Sequence, residues 1–164
     1  MLFPVKVQYY KGLAKALKIA AAIIPMPKPT LFTGSGSSLD LCSAISQLGM
    51  KKVLIVTDKV LVEIGLLKSI EERLIKEGVD YVIYDGILPD PTYDQIEAGL
   101  DILKNNQCQA ILAVGGGSPI DASKAIAARA TNDKSLEKMA GLFKLRKAPL
   151  PLFAIPTTAG TGSE

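Results

Sequence analysis

Histidine and tryptophan are absent from the 164 residues, and cysteine occurs only twice. Without histidine, the chain lacks the commonest general base and the commonest metal ligand of proteins. The two cysteines, Cys42 and Cys108, are too few for a disulfide scaffold and are not spaced as metal ligands. No apolar run reaches membrane-spanning length. Reduced thiols and the lack of a recognisable signal peptide predict a cytoplasmic protein.

Aromatic residues are few, and the body of the chain carries no excess of positive charge. Phe, Tyr and Trp together make up 5% of the chain, which argues against an aromatic-lined surface for sugars or single strands. Residues 1–39 carry five lysines and no acid, whereas the remainder has 14 basic and 16 acidic residues. A general nucleic-acid binder should carry positive charge on its body. We therefore predict no nucleic-acid partner.

The basic segment 1–29 is predicted to be an N-terminal arm, with an edge strand in 1–10 and an amphipathic helix over 11–24. Lysines cluster on one side of this helix, and leucine, alanine and isoleucine residues fall on the other. Such a helix can lie on an anionic membrane or dock on the domain or on a second subunit. Its thin, alanine-rich apolar face favours docking, so no membrane partner is predicted. Pro25, Pro27 and Pro29 end the helix.

From residue 30 onward, short strands rich in β-branched residues alternate with helices. The predicted strands are 30–33, 52–57, 80–84, 110–114 and 150–155. The predicted helices are 39–48, 66–77, about 93–105 and about 119–130, with a weak helical signal at 136–143. In the first of them, Cys42 falls on the apolar face with Leu41, Ile45 and Leu48, as a buried structural thiol does. The alternation predicts an α/β fold, a Rossmann-like parallel sheet with helices on both faces, in a domain spanning 30–164.

A glycine turn (residues 115–118) follows the predicted strand 110–114. Three glycines lead to Ser118 as the predicted N-cap, Pro119 at the first helical position and Asp121 completing an S-x-x-D capping arrangement. A strand, a glycine turn and a helix N-terminus together suit a phosphate group. Alternatively, the glycines serve only a sharp turn that needs positive φ. The pattern is neither G-x-G-x-x-G nor a P-loop.

Small polar residues also follow the other predicted strands, at what should be one edge of the sheet. These stretches are 34–38, Asp58, 89–92, 115–118 and 157–163. In parallel α/β sheets, ligands bind beyond the carboxyl ends of the strands. Asp58 can accept hydrogen bonds from a ribose, or it can be a helix cap or a surface charge. The residues themselves leave these roles open.

Several motifs resemble the iron-containing (group III) alcohol dehydrogenases. They are GGGSPIDASK at 115–124, PTTAGTGSE at 156–164, the Thr57-Asp58 pair, and Pro89-Asp90-Pro91-Thr92. The resemblance spans roughly residues 30–164, and Asp90 stands where the family often has Asn. It implies an NAD(P)-binding α/β domain that is normally followed by an all-helical domain holding the catalytic metal.

The resemblance also implies a role for individual residues. The turn residues 116–118 would grip the pyrophosphate, and three threonines would contact phosphate and nicotinamide ribose. Asp121 would lie near the nicotinamide, and Asp58 would bind the adenosine ribose, favouring NAD over NADP. The predicted cofactor-binding residues are Asp58, Pro89, Gly115, Gly116, Gly117, Ser118, Asp121, Thr157, Thr158 and Thr161.

The family's Fe²⁺ is held by one Asp and three His of the second domain, and none of the three histidines is present in these 164 residues. We therefore expect no catalytic or metal-binding residue in this chain. We expect it to be the NAD-binding domain, inactive by itself, of an alcohol dehydrogenase that requires Fe²⁺ or another divalent metal in its full-length form. The end at Glu164 is expected to be a truncation and not a natural domain boundary.

The sequence leaves three alternative functions open, and it also leaves open whether the chain forms a homodimer. The chain could be a stand-alone nucleotide-binding or assembly module. It could also belong to a glycerol dehydrogenase-like or a dehydroquinate synthase-like enzyme of the same fold, although PTTAGTGSE favours the alcohol dehydrogenases. The expected ligands are NAD and a small alcohol or aldehyde. The resemblance allows a homodimer through the N-terminal domain.

Overall fold

A computed structural model of the protein describes residues 29–141 and 144–163, together with Tyr10, Gly12 and Ala14 of the arm. The chain divides into two compact units, Met1–Leu31 and Phe32–Glu164. Apart from those three residues, the strand predicted in 1–10 and the helix predicted over 11–24 lie outside the described residues. The sheet and its helices belong to the second unit.

The described residues of this unit form four strands and six helices. The strands are β1 (Lys52–Val56), β2 (Asp80–Tyr84), β3 (Ala110–Gly115) and β4 (Leu152–Pro156). The helices are α1 (Ser37–Gln47), α2 (Lys59–Glu63), α3 (Lys68–Lys76), α4 (Tyr93–Asn105), α5 (Gly117–Thr131) and α6 (Leu136–Met139).

The strands form one parallel sheet in the order β2-β1-β3-β4. The chain runs from β1 outward to β2, then crosses back to β3 on the other side of β1. The direction of winding therefore reverses between β1 and β3, which makes the gap between their carboxyl ends a topological switch point. The predicted Rossmann-like parallel sheet is confirmed.

Each face of the sheet is covered by a pair of helices, as predicted. Leu54 and Val56 of β1 point into the apolar cluster beneath α4 and α5. Val53 and Ile55, the alternate residues, point into the cluster beneath α1 and α3. All four side chains are fully buried. Since β1 and β3 are covered on both faces, they are continuous apolar runs, as central parallel strands are.

Local sequence signals correctly predict the capping of α4 and most of the apolar face of α1. Thr92 caps α4 through a capping box, in which its side chain accepts from the Gln95 N–H and the Gln95 side chain accepts from the Thr92 N–H. Cys42 and Ile45 are buried on the inner face of α1, but Leu48, predicted beside them, is 62% exposed. The helix ends at Gln47, so Leu48 no longer follows its apolar face.

The strand predicted at 30–33 is wrong. Residues 29–33 have no regular secondary structure, and all five are exposed. The segment is apolar enough for a strand, but it pairs with no strand of the described sheet.

Within the described residues, no helix is long and apolar enough to cross a membrane.

Candidate functional site

Three segments with functional motifs meet at the carboxyl edge of the sheet. Asp58 follows β1, the glycine turn follows β3, and a threonine loop (residues 157–163) follows β4. The register pairs Gly115 with Pro156, and the Thr157 N–H donates to the Gly115 carbonyl at 2.9 Å. Pairing of β3 with β4 therefore places the threonine loop directly beside the glycine turn.

Helix α5 begins earlier than predicted. Its N-cap is Gly116, not Ser118, and no side chain of the described residues caps this end. Pro119 is the third helical residue, whereas it was predicted to be the first. Glycine can enter the helix without a side-chain cap, so the chain turns two residues sooner. The N–H groups of Gly117 and Ser118 lie in the first turn, where a helix provides no acceptor for them.

The three glycines of the turn have different reasons to be glycine. Gly115 has φ +148°, and a Cβ there would stand 2.7 Å from Cγ of Pro119. Gly116 has φ −79°, which any residue can adopt. A Cβ on Gly116 would lie 3.2 Å from Oγ1 of Thr158, and one on Gly117 would lie 3.2 Å from Oγ of Ser163. Gly115 thus makes the turn, while Gly116 and Gly117 allow the threonine loop to come close.

The threonine loop exposes its threonines to solvent. Thr157, Thr158 and Thr161 are all exposed, whereas Ser163 at the end of the loop is 6% exposed. Thr158 and Thr161 flank the positions that side chains at Gly116 and Gly117 would occupy. Exposed hydroxyls beside the N–H groups of a helix N-terminus form an edge rich in donors, which suits an anionic ligand.

Asp121 does not cap α5, contrary to prediction. It is exposed on the second turn of the helix, and its Oδ2 accepts a hydrogen bond from the Ser163 hydroxyl at 2.8 Å. Its Oδ1 lies 3.1 Å from Nζ of Lys124. Because the helix begins at Gly117, Asp121 is too far along it to reach the N–H groups of the first turn. It connects α5 to the threonine loop instead.

Asp58 serves as a helix cap. Its Oδ1 accepts from the Leu61 N–H at 3.0 Å, which fixes the beginning of α2. Its backbone also forms an isolated antiparallel bridge with Gly86, just after β2. Of the roles left open by the sequence, the cap is present; a ribose contact stays a prediction. The preceding residue, Thr57, is fully buried, and its Oγ1 has no hydrogen-bond partner within the described part of the chain.

Pro89 lies farther along the same edge. It is exposed in the loop between β2 and α4, where Asp90 adopts φ +57°. The strand order puts this loop beyond β1, on the side away from the glycine turn. The sheet thus brings nine of the ten predicted residues to the ends of β1, β3 and β4 and leaves Pro89 at the end of β2.

Sequence reasoning did not assign roles to Ser163, Lys124 or Thr57. Ser163 and Lys124 both belong to the quoted motifs, and that membership was the available signal. The contact of Ser163 with Asp121 depends on the tertiary fold, because the two residues are 42 positions apart. The burial of Thr57 follows from its place at the end of a central strand.

The two thiols, Cys42 and Cys108, are free and buried. Burial raises the pKa of the Cys42 thiol to about 11, although nearby Arg73 lowers it somewhat. Burial also raises the pKa of the Cys108 thiol. Both groups are protonated near neutral pH and are poor nucleophiles. Among the described residues, no group of three or more His, Cys, Asp or Glu side chains could hold a metal ion.

Several known proteins are similar to this chain in sequence and fold. Alcohol dehydrogenase 4 of Schizosaccharomyces pombe is 38% identical over 151 residues, covering 92% of this chain and 35% of that protein. The structure of an alcohol dehydrogenase from Oenococcus oeni matches with a TM-score of 0.80 at 38% identity, covering 85% and 37% of the two chains. Sulfoacetaldehyde reductase from Bifidobacterium kashiwanohense, solved in complex with NAD⁺, matches with a TM-score of 0.69 at 30% identity, covering 86% and 38%.

The chain spans little more than a third of the length of these relatives. The sequence model of the iron-containing alcohol dehydrogenases matches residues 28–164. This match includes every strand of the sheet, the glycine turn and the threonine loop. The chain therefore belongs to the iron-containing alcohol dehydrogenase family.

Proposed function

We propose that this chain binds NAD(H) at the carboxyl edge of its sheet, as the cofactor-binding part of a metal-requiring alcohol dehydrogenase. The observation that carries the proposal is the close approach of the exposed Thr158 and Thr161 to Gly116 and Gly117. This contact adjoins the N–H groups at the start of α5, where a helix favours anions. Membership of the family and the NAD⁺ complex of sulfoacetaldehyde reductase support the choice of cofactor.

The residues present fit a dinucleotide. The N–H groups of Gly117 and Ser118 would hold the diphosphate, with the threonine hydroxyls as further donors. Asp58, at the end of β1, would face the adenosine ribose and disfavour a 2′-phosphate, so NAD is preferred over NADP. When bound, the nicotinamide supplies hydride acceptance or donation. The protein's contribution at this edge is to bind and orient it.

A resident iron ion does not fit the residues present. The 164 residues contain no histidine, and no metal-binding group of three acidic or thiol side chains occurs in the described part of the chain. The proposal for these residues is accordingly NAD(H) binding without turnover. The substrate of the whole enzyme is proposed to be a small alcohol or aldehyde, since the relatives are named as alcohol dehydrogenases and an aldehyde reductase.

Calorimetric titration of the folded chain with NAD⁺ tests the proposal. We expect NAD⁺ to bind more tightly than NADP⁺, and no NADH to form when an alcohol is added. Absence of NAD⁺ binding by a chain that circular dichroism shows to be folded would contradict cofactor binding. Formation of NADH by the chain alone would contradict the proposed inactivity.

The Gly116→Ala variant tests the location of the site. A Cβ at this position needs no unusual backbone angle but intrudes beside Thr158. We expect NAD⁺ affinity to fall by about tenfold or more, as when a hydrogen bond to a charged group is lost. Gly12→Ala is the matched control, because no described heavy atom lies within 4 Å of a Cβ built there. Equal affinities of the two variants would place the cofactor elsewhere.

A further inference from the structure

Asp121 has a protein partner on each carboxylate oxygen. Lys124 approaches Oδ1, but the side chains of Lys124 and Asp121 are 48% and 59% exposed, so their attraction is screened by water. Ser163 donates to Oδ2 at 2.8 Å and is itself 6% exposed. A short hydrogen bond from a buried hydroxyl to a carboxylate is the stronger of the two contacts.

The Ser163 bond joins two separate segments of the site. Asp121 belongs to α5, and Ser163 is the last described residue of the threonine loop. The Ser163 N–H also donates to Oγ1 of Thr161 at 3.2 Å, within the loop. Its Oγ lies 3.2 Å from the place of a Cβ on Gly117, at the first helical position. Ser163 therefore fixes the distance between the loop and the beginning of α5.

We propose that Ser163 is a positioning residue for the cofactor. Acting through Asp121, it holds the threonine loop against α5, so that Thr161 and the Gly117 N–H face the same volume. Asp121 is then an anchor for this loop, and the predicted contact of its carboxylate with nicotinamide is not needed. This inference rests on the proposed NAD(H) binding and adds a residue to it.

The test compares NAD⁺ with adenosine in the Ser163→Ala variant of the full chain. Adenosine carries the part of the cofactor assigned to Asp58 and lacks the phosphates and the nicotinamide ribose assigned to the threonine loop. We expect NAD⁺ affinity to fall on the order of tenfold while adenosine affinity stays unchanged. Ser69→Ala, an exposed position on α3, is the matched control. A general loss of structure would weaken both ligands equally and would overturn the inference.

Variants of Asp121 show whether Ser163 acts through it. Asp121→Asn keeps an oxygen that accepts from Ser163, so we expect nearly wild-type NAD⁺ affinity. Asp121→Ala removes the acceptor, and adding Ser163→Ala to it should weaken NAD⁺ binding no further. Additive losses would overturn the inference. Failure of the wild-type chain to bind NAD⁺ contradicts the proposed function, whereas wild-type binding that Ser163→Ala leaves unchanged overturns this inference alone.

Discussion

Two substitutions at Asp58 separate its structural role from its proposed role in choosing the cofactor. The structure shows the cap on α2, in which Oδ1 accepts from the Leu61 N–H at 3.0 Å. The proposed role depends on the negative charge repelling a 2′-phosphate. Asparagine caps a helix about as well as aspartate but is neutral. Asp58→Asn therefore removes the charge alone, and Asp58→Ala removes both the charge and the cap.

The cap sets the expected loss of stability. Replacing an N-cap Asp by Ala costs about 1 kcal/mol, within a range of roughly 0.5–2 kcal/mol. For a chain of 164 residues, such a loss lowers the melting temperature by about 2–4 °C. Since Asn retains the acceptor oxygen, Asp58→Asn should melt close to the wild-type temperature. The difference between the two variants measures the cap.

The charge sets the expected change in cofactor preference. Two like unit charges about 4 Å apart repel by about 1 kcal/mol in water and by about 4 kcal/mol at an effective dielectric constant of 20. Asp58 is half-buried, so the interaction should fall between these limits. We expect both variants to raise the affinity for NADP⁺ relative to NAD⁺ by about tenfold or more. The change should shrink as salt is added.

Differential scanning calorimetry and titration with both cofactors decide between the outcomes. If Asp58→Asn melts as early as Asp58→Ala, the cap bond is not what stabilises α2. If neither variant changes the ratio of NADP⁺ to NAD⁺ affinity, Asp58 does not face the adenosine ribose. A gain in NADP⁺ affinity in Asp58→Ala but not in Asp58→Asn would show that size, and not charge, excludes the phosphate.

Two further predictions concern the core. Gly99→Ala should lower the free energy of unfolding, measured in urea, by about 1–3 kcal/mol. The reason is that the new Cβ would stand 2.6 Å from Cδ1 of Ile126 and 2.9 Å from Cε1 of Tyr84. Unchanged stability would refute the close packing. The raised pKa of Cys42, about 11 against 9.0 in the free residue, predicts a thiol that a disulfide reagent labels at pH 8 only after unfolding. The stabilisation that comes from the raised pKa of Cys42 is fully present below pH 9.0 and is lost as the pH rises toward about 11. Rapid labelling of Cys42 in the folded chain would refute the burial of this thiol.

The elements that the sequence predicted well are those with strong local signals. Strand β2 has the predicted bounds, and α4 has the predicted capping box, because a β-branched run and a T-x-x-Q pattern each act over a few residues. The parallel sheet followed from the alternation of strands and helices. The edge that holds the site followed in turn from the sheet, since carboxyl ends of parallel strands share one edge.

The failures are those where a distant partner or a competing backbone preference decides. The segment 30–33 has the composition of a strand but lacks a neighbour in the described sheet. Helix α2 is only five residues long, too short for a helical period to be visible. Ser118 has the right chemistry for an N-cap, yet α5 begins two residues earlier, with Gly116 at the N-cap and without a side-chain cap among the described residues. The contact of Ser163 with Asp121 spans 42 positions and has no local signal.

The sequence of the glycine turn allows two interpretations, a phosphate-binding turn and a sharp connection that needs positive φ. A sharp connection needing positive φ explains Gly115 and neither of the other two, since Gly116 has an ordinary φ and Gly117 is helical. The lack of side chains at Gly116 and Gly117 allows the threonine loop to pack close to the turn. That loop is adjacent only because β4 pairs with β3 in a register that joins Gly115 to Pro156. The proposed phosphate site therefore depends on two paired strands, because the helix N–H groups follow β3 and the threonine hydroxyls follow β4.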